Sequence, residues 1–208
     1  MFEAFDAAYR PDASTLMPEP GGKIDAAPEL QLFFNRYGGC SFNNGIYRAL
    51  SADSVPNWSE YVSTAFPHTL GRITCFGVDW LGRIFAVDPQ RSEEDLPGVV
   101  LYEPGTGDSF EIPGNTFTFH NRVLIDQAEA ALAESFYRKW IEAGGAAPLI
   151  HQCIGYKRPL FLGGQDHIQN LELSDVDVYW HLLSQLIQRT RGLPEGTPIG
   201  PITLTDPN

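Results

Sequence analysis

Residues 155–180 read GYKRPLFLGGQDHIQNLELSDVDVYW, and this stretch decides the fold of the C-terminal half of the chain. Its apolar runs predict two short strands, at residues 153–157 and 170–173, with a turn at Gly163-Gly164 between them. Ser174 is the predicted N-cap of a final helix, because Asp175 and Asp177 in the first turn complement the helix dipole. The stretch contains no catalytic arrangement, so it indicates a recognition surface rather than an active site.

Short helices and then a block of strands precede this stretch. Apolar periodicity predicts helices over residues 2–9, 29–37 and 56–66, each stopped by a following Pro or Gly. Residues 72–112 contain four short strands joined by tight turns, which predict an antiparallel meander. A long helical segment over residues 117–143 follows. The predicted fold is α+β, in which an antiparallel or mixed sheet packs with the long helix and the C-terminal helix.

The chain is acidic, with 26 Asp and Glu residues against 14 Lys and Arg residues and a formal net charge of −12. This charge repels nucleic acid and anionic membranes, so direct binding to either is not expected. Acidity favours solubility, and it also suits a basic partner such as a nucleic-acid-binding enzyme with a positive groove.

The cysteines and the N-terminus indicate a cytoplasmic protein. Cys40, Cys75 and Cys153 are widely spaced and form no CxxC motif, which fits reduced thiols. The N-terminal sequence MFEAFDAAYRPD has two acids before its first base and no apolar core, so we do not expect a signal peptide. No run of about 18 apolar residues predicts a membrane-spanning helix.

No motif for phosphate binding, nucleophilic catalysis or metal binding occurs in the sequence. GxGxxG, GxxxxGK[ST], GxSxG and HExxH are all absent, and the five histidines lie far apart. His151 and Cys153 share one face of a predicted strand, but the apolar neighbours of Cys153 predict an inert buried thiol. We therefore predict a protein that is not an enzyme and has no cofactor, metal site or catalytic residue.

Four carboxylates, at Asp166, Glu172, Asp175 and Asp177, lie within twelve residues that contain no Lys or Arg. Helix-start electrostatics explains Asp175 and Asp177, and turn formation explains Asp166. An acidic partner-binding patch is the alternative interpretation. A metal site is a third, although the register of an EF-hand is absent.

Four segments resemble the C-terminal domain of type VI secretion immunity proteins, which protect bacteria against a toxic DNase. They are GVDWLGRIFAVD at 77–88, VVLYEPGTGDSFEIPG at 99–114, ALAESFYRKW at 131–140 and the 155–180 stretch itself. LQLFFNRYGGCSFNNGIYRAL, at 30–50, resembles the GAD-like region that precedes this domain in the family. All five segments agree with the family in order and spacing.

The resemblance implies a GAD-like helical N-terminal region at 1–68, an immunity-protein C-terminal α+β domain at 69–192 and a Pro-rich tail at 193–208. It implies a cytoplasmic antitoxin that binds a cognate DNase toxin through the basic nuclease domain of that toxin. The family supplies no catalytic residue and no cofactor. Two alternatives stay open: a regulatory or scaffold module without a toxin, and a small-ligand-binding protein or enzyme.

An acidic protein can fill a basic nuclease groove by placing carboxylates where phosphates bind. The expected contact face comprises Asp166, His167, Gln169, Glu172 and Asp175. The expected second contact, in the GAD-like region, comprises Asn43, Asn44, Tyr47 and Arg48.

Overall fold

The computed structural model describes residues 1–13, 22, 24, 27–194 and 197. Most of residues 11–28, which their Pro and Gly content predicts to be a loop, and most of the predicted tail over 193–208 lie outside these residues. The helices are α1 Glu3–Ala8, α2 Pro28–Tyr37, α3 Val55–Ala65, α4 Thr116–Thr118, α5 Leu124–Asp126, α6 Ala128–Leu132, α7 Glu134–Glu142 and α8 Val176–Thr190. The strands are β1 Ser41–Phe42, β2 Tyr47–Ala49, β3 Thr74–Asp79, β4 Ile84–Glu93, β5 Leu96–Glu103, β6 Asp108–Asn115, β7 Gln152–Tyr156 and β8 Leu171–Asp175.

Six of these strands form one sheet in the order β1-β2-β3-β4-β5-β6, and β7 pairs with β8 in a separate ladder. Every pairing is antiparallel. Strand order follows chain order, so tight turns join most neighbours, and α3 lies in the longer connection between β2 and β3. The α+β class predicted from the sequence is confirmed.

Strand pairing and side-chain packing cross the predicted boundary at residue 68. Arg48 of β2 lies opposite Val78 of β3, so the predicted N-terminal region contributes strands to the central sheet. The predicted apolar face of α1 is buried, and the ring of Phe5 lies 5.0 Å from that of His120. The division into a GAD-like region and a C-terminal domain stays a prediction, and one hydrophobic core spans both parts.

The helical segment predicted over 117–143 is broken into short helices. The Asn115 side chain caps α4, and a π-helical turn at Phe119–Val123 buries His120 among aromatic rings. Ala133 adopts the left-handed conformation, with φ of 48°, and separates α6 from α7. A non-glycine residue in this conformation cannot continue a right-handed helix, so α6 ends here and α7 begins as a separate helix.

The last helix begins one residue later than predicted. Asp175, and not Ser174, is the N-cap of α8, because its Oδ1 accepts hydrogen bonds from the backbone N–H groups of Asp177 and Val178, both at 3.1 Å. Ser174 instead pairs with Cys153 in the β7–β8 ladder. The apolar periodicity of the last helix predicts that Val178 faces the core, but its side chain is 56 % exposed. Its neighbours Tyr179, Trp180, Leu183 and Ile187 form the buried face.

Aromatic residues fill the interior of the described chain. Trp80, Trp180, Tyr47 and Tyr102 are among the largest fully buried side chains. Phe110, on β6, is 47 % exposed. The aromatic content of the sequence therefore serves packing in the first place.

Candidate functional site

The motifs that carry the family resemblance meet in one buried cluster. Arg83 Nε donates to Asp79 Oδ2 at 2.6 Å, and Asp79 Oδ1 also accepts from the backbone N–H groups of Leu81 and Arg83. Arg83 Nη2 donates to the Ala131 carbonyl at 3.0 Å. This pair therefore locks the β3–β4 turn to the end of α6.

Glu103, at the end of β5, is the second acid of this cluster. Its Oε2 lies 3.6 Å from Arg83 Nε, and the side chain is 11 % exposed. Burial raises the pKa of Glu103 to about 7, because the nearby Arg83 does not offset the loss of solvation. A perturbed acid can mark a functional site, but this one lies in a packed layer among structural partners.

The β5–β6 turn supports the β7–β8 hairpin. Leu160 N–H donates to the Gly105 carbonyl at 2.8 Å. The Tyr156 ring lies so close to Gly105 that a Cβ there would come within 2.7 Å of Tyr156 Cδ2. Glycine is required at this position for close approach, and the hairpin is held against the main sheet.

Two tryptophans and a tyrosine join the hairpin and α8 to the β3–β4 turn. Trp180 Nε1 donates to the Gly82 carbonyl at 2.6 Å, and Trp80 Nε1 donates to the Leu132 carbonyl at 2.7 Å. Tyr179 Oη accepts from the backbone N–H of Tyr156 at 3.1 Å. These residues hold one rigid platform, on which residues 157–175 are displayed.

The loop between β7 and β8 is braced by its own polar groups. Asn170 Nδ2 donates to the carbonyls of Arg158 and Gln165, both at 2.9 Å. Arg158 Nε donates to the Leu162 carbonyl at 2.7 Å, and Gly163 supplies the left-handed turn with φ of 77°. The loop therefore presents its side chains from a fixed backbone.

The structure brings the predicted contact face together on this hairpin. Asp166, His167 and Gln169 are exposed on the loop, and Glu172 and Asp175 are exposed on β8. Tyr156 Oη donates to Asp166 Oδ1 at 2.7 Å, and Asp175 serves as the helix cap. Within the described part of the chain, Asp166, Glu172 and Asp175 have no ion-pair partner within 4.0 Å. Their charges are available to a partner, although Asp175 also has an architectural role.

The predicted second contact is divided between surface and core. Asn43 and Asn44 are exposed in the β1–β2 turn, with φ of 50° and 62°. Asp12 holds this turn by accepting from the backbone N–H groups of Asn44 at 2.7 Å and Gly45 at 2.9 Å. Sequence reasoning missed Asp12, because no local pattern joins it to a turn about thirty residues away.

Tyr47 and Arg48 lie in the core, each with 0 % exposure, so a partner cannot reach them in this structure. Tyr47 Oη is 2.8 Å from His120 Nε2. The Arg48 guanidinium donates to the backbone carbonyls of Leu149, Gln152 and Asp79. Both side chains look polar in sequence but fill buried hydrogen-bonding roles, and we remove them from the contact set.

The groups most suited to catalysis are buried and structural. Burial lowers the pKa of His120 to about 3 and raises the pKa of Cys153 to about 12. His120 Nδ1 is 2.7 Å from the Thr116 carbonyl, and Cys153 packs against Gly82. Among the described residues, no group of three or more His, Cys, Asp or Glu side chains is arranged to hold a metal ion.

A groove of about 960 Å³ lies between the β5–β6 turn, the β7–β8 loop and the end of α8. The two arginines that line this groove donate hydrogen bonds within the chain, Arg158 to the Leu162 carbonyl and Arg191 to the Ala65 carbonyl. Leu160, Phe161 and Ile187 supply much of the remaining wall. Among the described residues of its wall, no reactive groups converge. None of the helices in the described chain is both long enough and apolar enough to span a membrane.

The fold and the displayed hairpin define a small α+β domain with a rigid acidic surface. Residues 123–187 match the family model for the T6SS immunity protein Tdi1, C-terminal. The matched segment runs from the π-helical turn into α8 and includes β7, the braced loop and β8. This part of the chain is therefore similar to the C-terminal domain of a type VI secretion immunity protein, and over these residues the resemblance predicted from the sequence is confirmed.

The fold itself is shared with a solved bacterial protein. The crystal structure of Atu4351 from Agrobacterium tumefaciens superimposes with a TM-score of 0.61 and 16 % sequence identity, over 89 % of each chain. At this identity the similarity establishes the fold alone, and it extends beyond the family-matched segment. No curated protein is significantly similar to this chain in sequence.

Proposed function

We propose that this chain is an immunity protein that binds and neutralises a cognate type VI secretion effector. The observation that carries this proposal is the family match over residues 123–187, the segment that forms the braced hairpin. A neutralising protein needs a preformed surface rather than reactive groups, and rigidity reduces the entropy lost on binding. The bracing of the loop by Asn170 and Arg158 supports such a surface.

We further propose that the effector is a DNase with a basic nuclease domain. The net charge of −12 favours encounter with a positive partner and opposes binding to DNA itself. The exposed carboxylates of Asp166 and Glu172 are suited to positions where the effector would bind phosphates. No reaction by this chain is required.

The proposed contact surface consists of Asp166, His167, Gln169 and Glu172, with Asp175 at its edge. Asn43 and Asn44 form a proposed second contact, because their turn is exposed and held by Asp12. Neutralisation of a DNase is needed where bacterial DNA lies, so we propose a cytoplasmic location. Three buried free thiols are compatible with that compartment.

The test uses the product of the open reading frame that adjoins the gene for this chain. Plasmid DNA is incubated with this product, and purified chain is added in increasing amounts. We expect cleavage to stop near equimolar chain. Glu172→Lys should require at least about tenfold more chain, and Asp166→Asn, which can still accept from Tyr156, should have a smaller effect.

A matched control is Glu142→Lys, which makes the same charge change at an exposed position on α7. It should inhibit as well as the unchanged chain. Cleavage that continues at excess chain would contradict the neutralising function and favour a scaffold role. Equal inhibition by the Glu172 and Glu142 variants would instead show that the contact surface does not include β8.

A further inference from the structure

Among the described residues, no further strand pairs with the outer edge of β8, which is called the open edge of the β7–β8 ladder. The hydrogen bonds around this edge show which backbone groups face outward. Lys157 N–H donates to the Asn170 carbonyl at 2.7 Å, and Val176 N–H donates to the His151 carbonyl at 3.0 Å. Antiparallel ladders alternate, so Asn170, Glu172, Ser174 and Val176 direct their backbone groups toward β7. The backbone groups of Leu173, which lies between them, point away.

The β7 edge of the ladder, in contrast to the β8 edge, contacts the rest of the protein. Ile154 N–H donates to the Trp80 carbonyl at 2.7 Å, so β7 contacts the main sheet at its turn. Within the described chain, the Leu173 N–H and C=O groups and the Asp175 N–H group have no hydrogen-bond partner. The Leu173 side chain is 38 % exposed. None of the described residues thus satisfies these backbone groups, and they are suited to pairing with an incoming strand.

We propose that the effector adds an extended strand to the open edge of β8. This inference rests on the proposed function and specifies how the partner is held. Exposed strand edges are templates for pairing, and strand addition combines backbone hydrogen bonds with side-chain pairs. The edge has the rigid support that this mode needs, because its ladder is fixed to the main sheet and to α8.

The side chains of β8 define the chemistry of the incoming strand. Glu172 is exposed and has no ion-pair partner among the described residues, so a Lys or Arg beside it gains an opposite-charge cross-strand pair. The position beside Leu173 suits an apolar residue, on the other face of the new strand. A segment that alternates basic and apolar residues therefore fits this edge.

The outer edge of β6 is the main competitor. It contains Pro113, and Glu111 is already paired with Arg91 at 3.2 Å. A proline removes one ladder donor, and the ion pair neutralises the charge that would select a basic strand. β6 also lies outside the family-matched residues, whereas β8 lies within them. These observations favour β8.

The experiment compares Leu173→Pro with Leu173→Thr in binding to the product of the adjoining open reading frame. Leu173→Pro deletes the outward N–H, whereas Leu173→Thr alters the side chain and keeps that donor. We expect the proline variant to bind at least about tenfold more weakly than the threonine variant. Thermal unfolding of both free variants checks that each is folded.

Hydrogen exchange on the unchanged chain provides a second measurement if the proline variant unfolds. The Leu173 and Asp175 amides should exchange at least about tenfold more slowly in the complex. Equal binding by the two folded variants, or unprotected amides in a formed complex, would overturn strand addition and leave the immunity function intact. Failure of the unchanged chain to bind would reject the immunity function, and strand addition with it.

Discussion

The Tyr156 hydroxyl donates a 2.7 Å hydrogen bond to Asp166, which joins the buried end of β7 to the exposed loop. Burial raises the pKa of Tyr156, and the hydrogen bond to Asp166 raises it further, so the hydroxyl stays protonated and donates at physiological pH. The position of the Asp166 carboxylate, a proposed contact group, therefore depends on Tyr156, which is buried and lies outside the proposed contact surface.

Replacing Tyr156 by Phe should weaken effector binding without removing any contact group. Loss of the hydrogen bond frees Asp166, and we expect faster hydrogen exchange over residues 163–169 and about threefold to tenfold weaker binding. Tyr37→Phe is a matched control, because Tyr37 Oη donates to Asp6 Oδ1 at 2.6 Å in another part of the fold. Comparable weakening by the control would mean that the binding loss reflects general destabilisation.

Glu103→Gln should change the pH dependence of folding. The pKa of Glu103 rises from its ordinary 4.5 to about 7 on folding. A raised folded-state pKa contributes stability that is fully present below about pH 4.5 and is lost as pH rises through about 7. Glutamine does not ionise, so between pH 4.5 and pH 8 the variant should gain up to about 3 kcal/mol relative to the unchanged chain.

Urea unfolding of both proteins across this pH range measures the difference directly. Other titrating groups are common to both proteins and cancel in it. A stability difference that is constant from pH 4.5 to pH 8 would show that Glu103 is ionised throughout, stabilised by Arg83.

Two variants of Asp175 distinguish its role as the N-cap of α8 from the role of its negative charge in binding. Asp175→Ala removes both hydrogen bonds at the start of α8 and should cost about 1 kcal/mol of unfolding free energy. Asp175→Ser keeps a capping oxygen and loses the charge, so it should be nearly as stable as the unchanged chain. Chemical unfolding tests the cap, and weaker effector binding by the serine variant would assign Asp175 to the contact surface. A serine variant as unstable as the alanine variant would contradict the capping role.

Gly155→Ala should destabilise the fold because a Cβ at this position collides with the Tyr179 ring. Overpacking of this kind typically costs about 1–3 kcal/mol. In a Tyr179→Ala background the same change should cost less than about 1 kcal/mol, since the opposing ring is absent. An equal cost in both backgrounds, measured by chemical unfolding, would show that the loss arises from backbone conformation and not from this contact.

Periodicity and turn residues were sufficient to predict most helices and strands, because each element buries a regular face. Periodicity and turn residues did not predict which side chains are buried where contacts between distant parts of the chain determine the burial. Tyr47 and Arg48 follow an Asn-Gly turn and look like exposed polar residues. The carbonyls that bind Arg48 come from Leu149 and Gln152, about a hundred residues away in the chain.

The start of α8 shows a second limit of prediction from local sequence. Ser174 and Asp175 are both good N-caps, so local propensity does not choose between them. Ser174 pairs with Cys153 in the β7–β8 ladder, so β8 continues two residues beyond its predicted end at Leu173 and Asp175 is the N-cap. Val178 is exposed because it lies outside the face of α8 that Tyr179, Trp180, Leu183 and Ile187 bury.

The proposed neutralisation of an effector is tested by the survival of cells that produce this effector. The open reading frame adjoining the gene for this chain is expressed alone, with the unchanged chain, and with the Glu172→Lys or Glu142→Lys variant. We predict killing when it is expressed alone, full rescue by the unchanged chain and by Glu142→Lys, and poor rescue by Glu172→Lys. Killing that the unchanged chain does not relieve would contradict the proposed neutralisation.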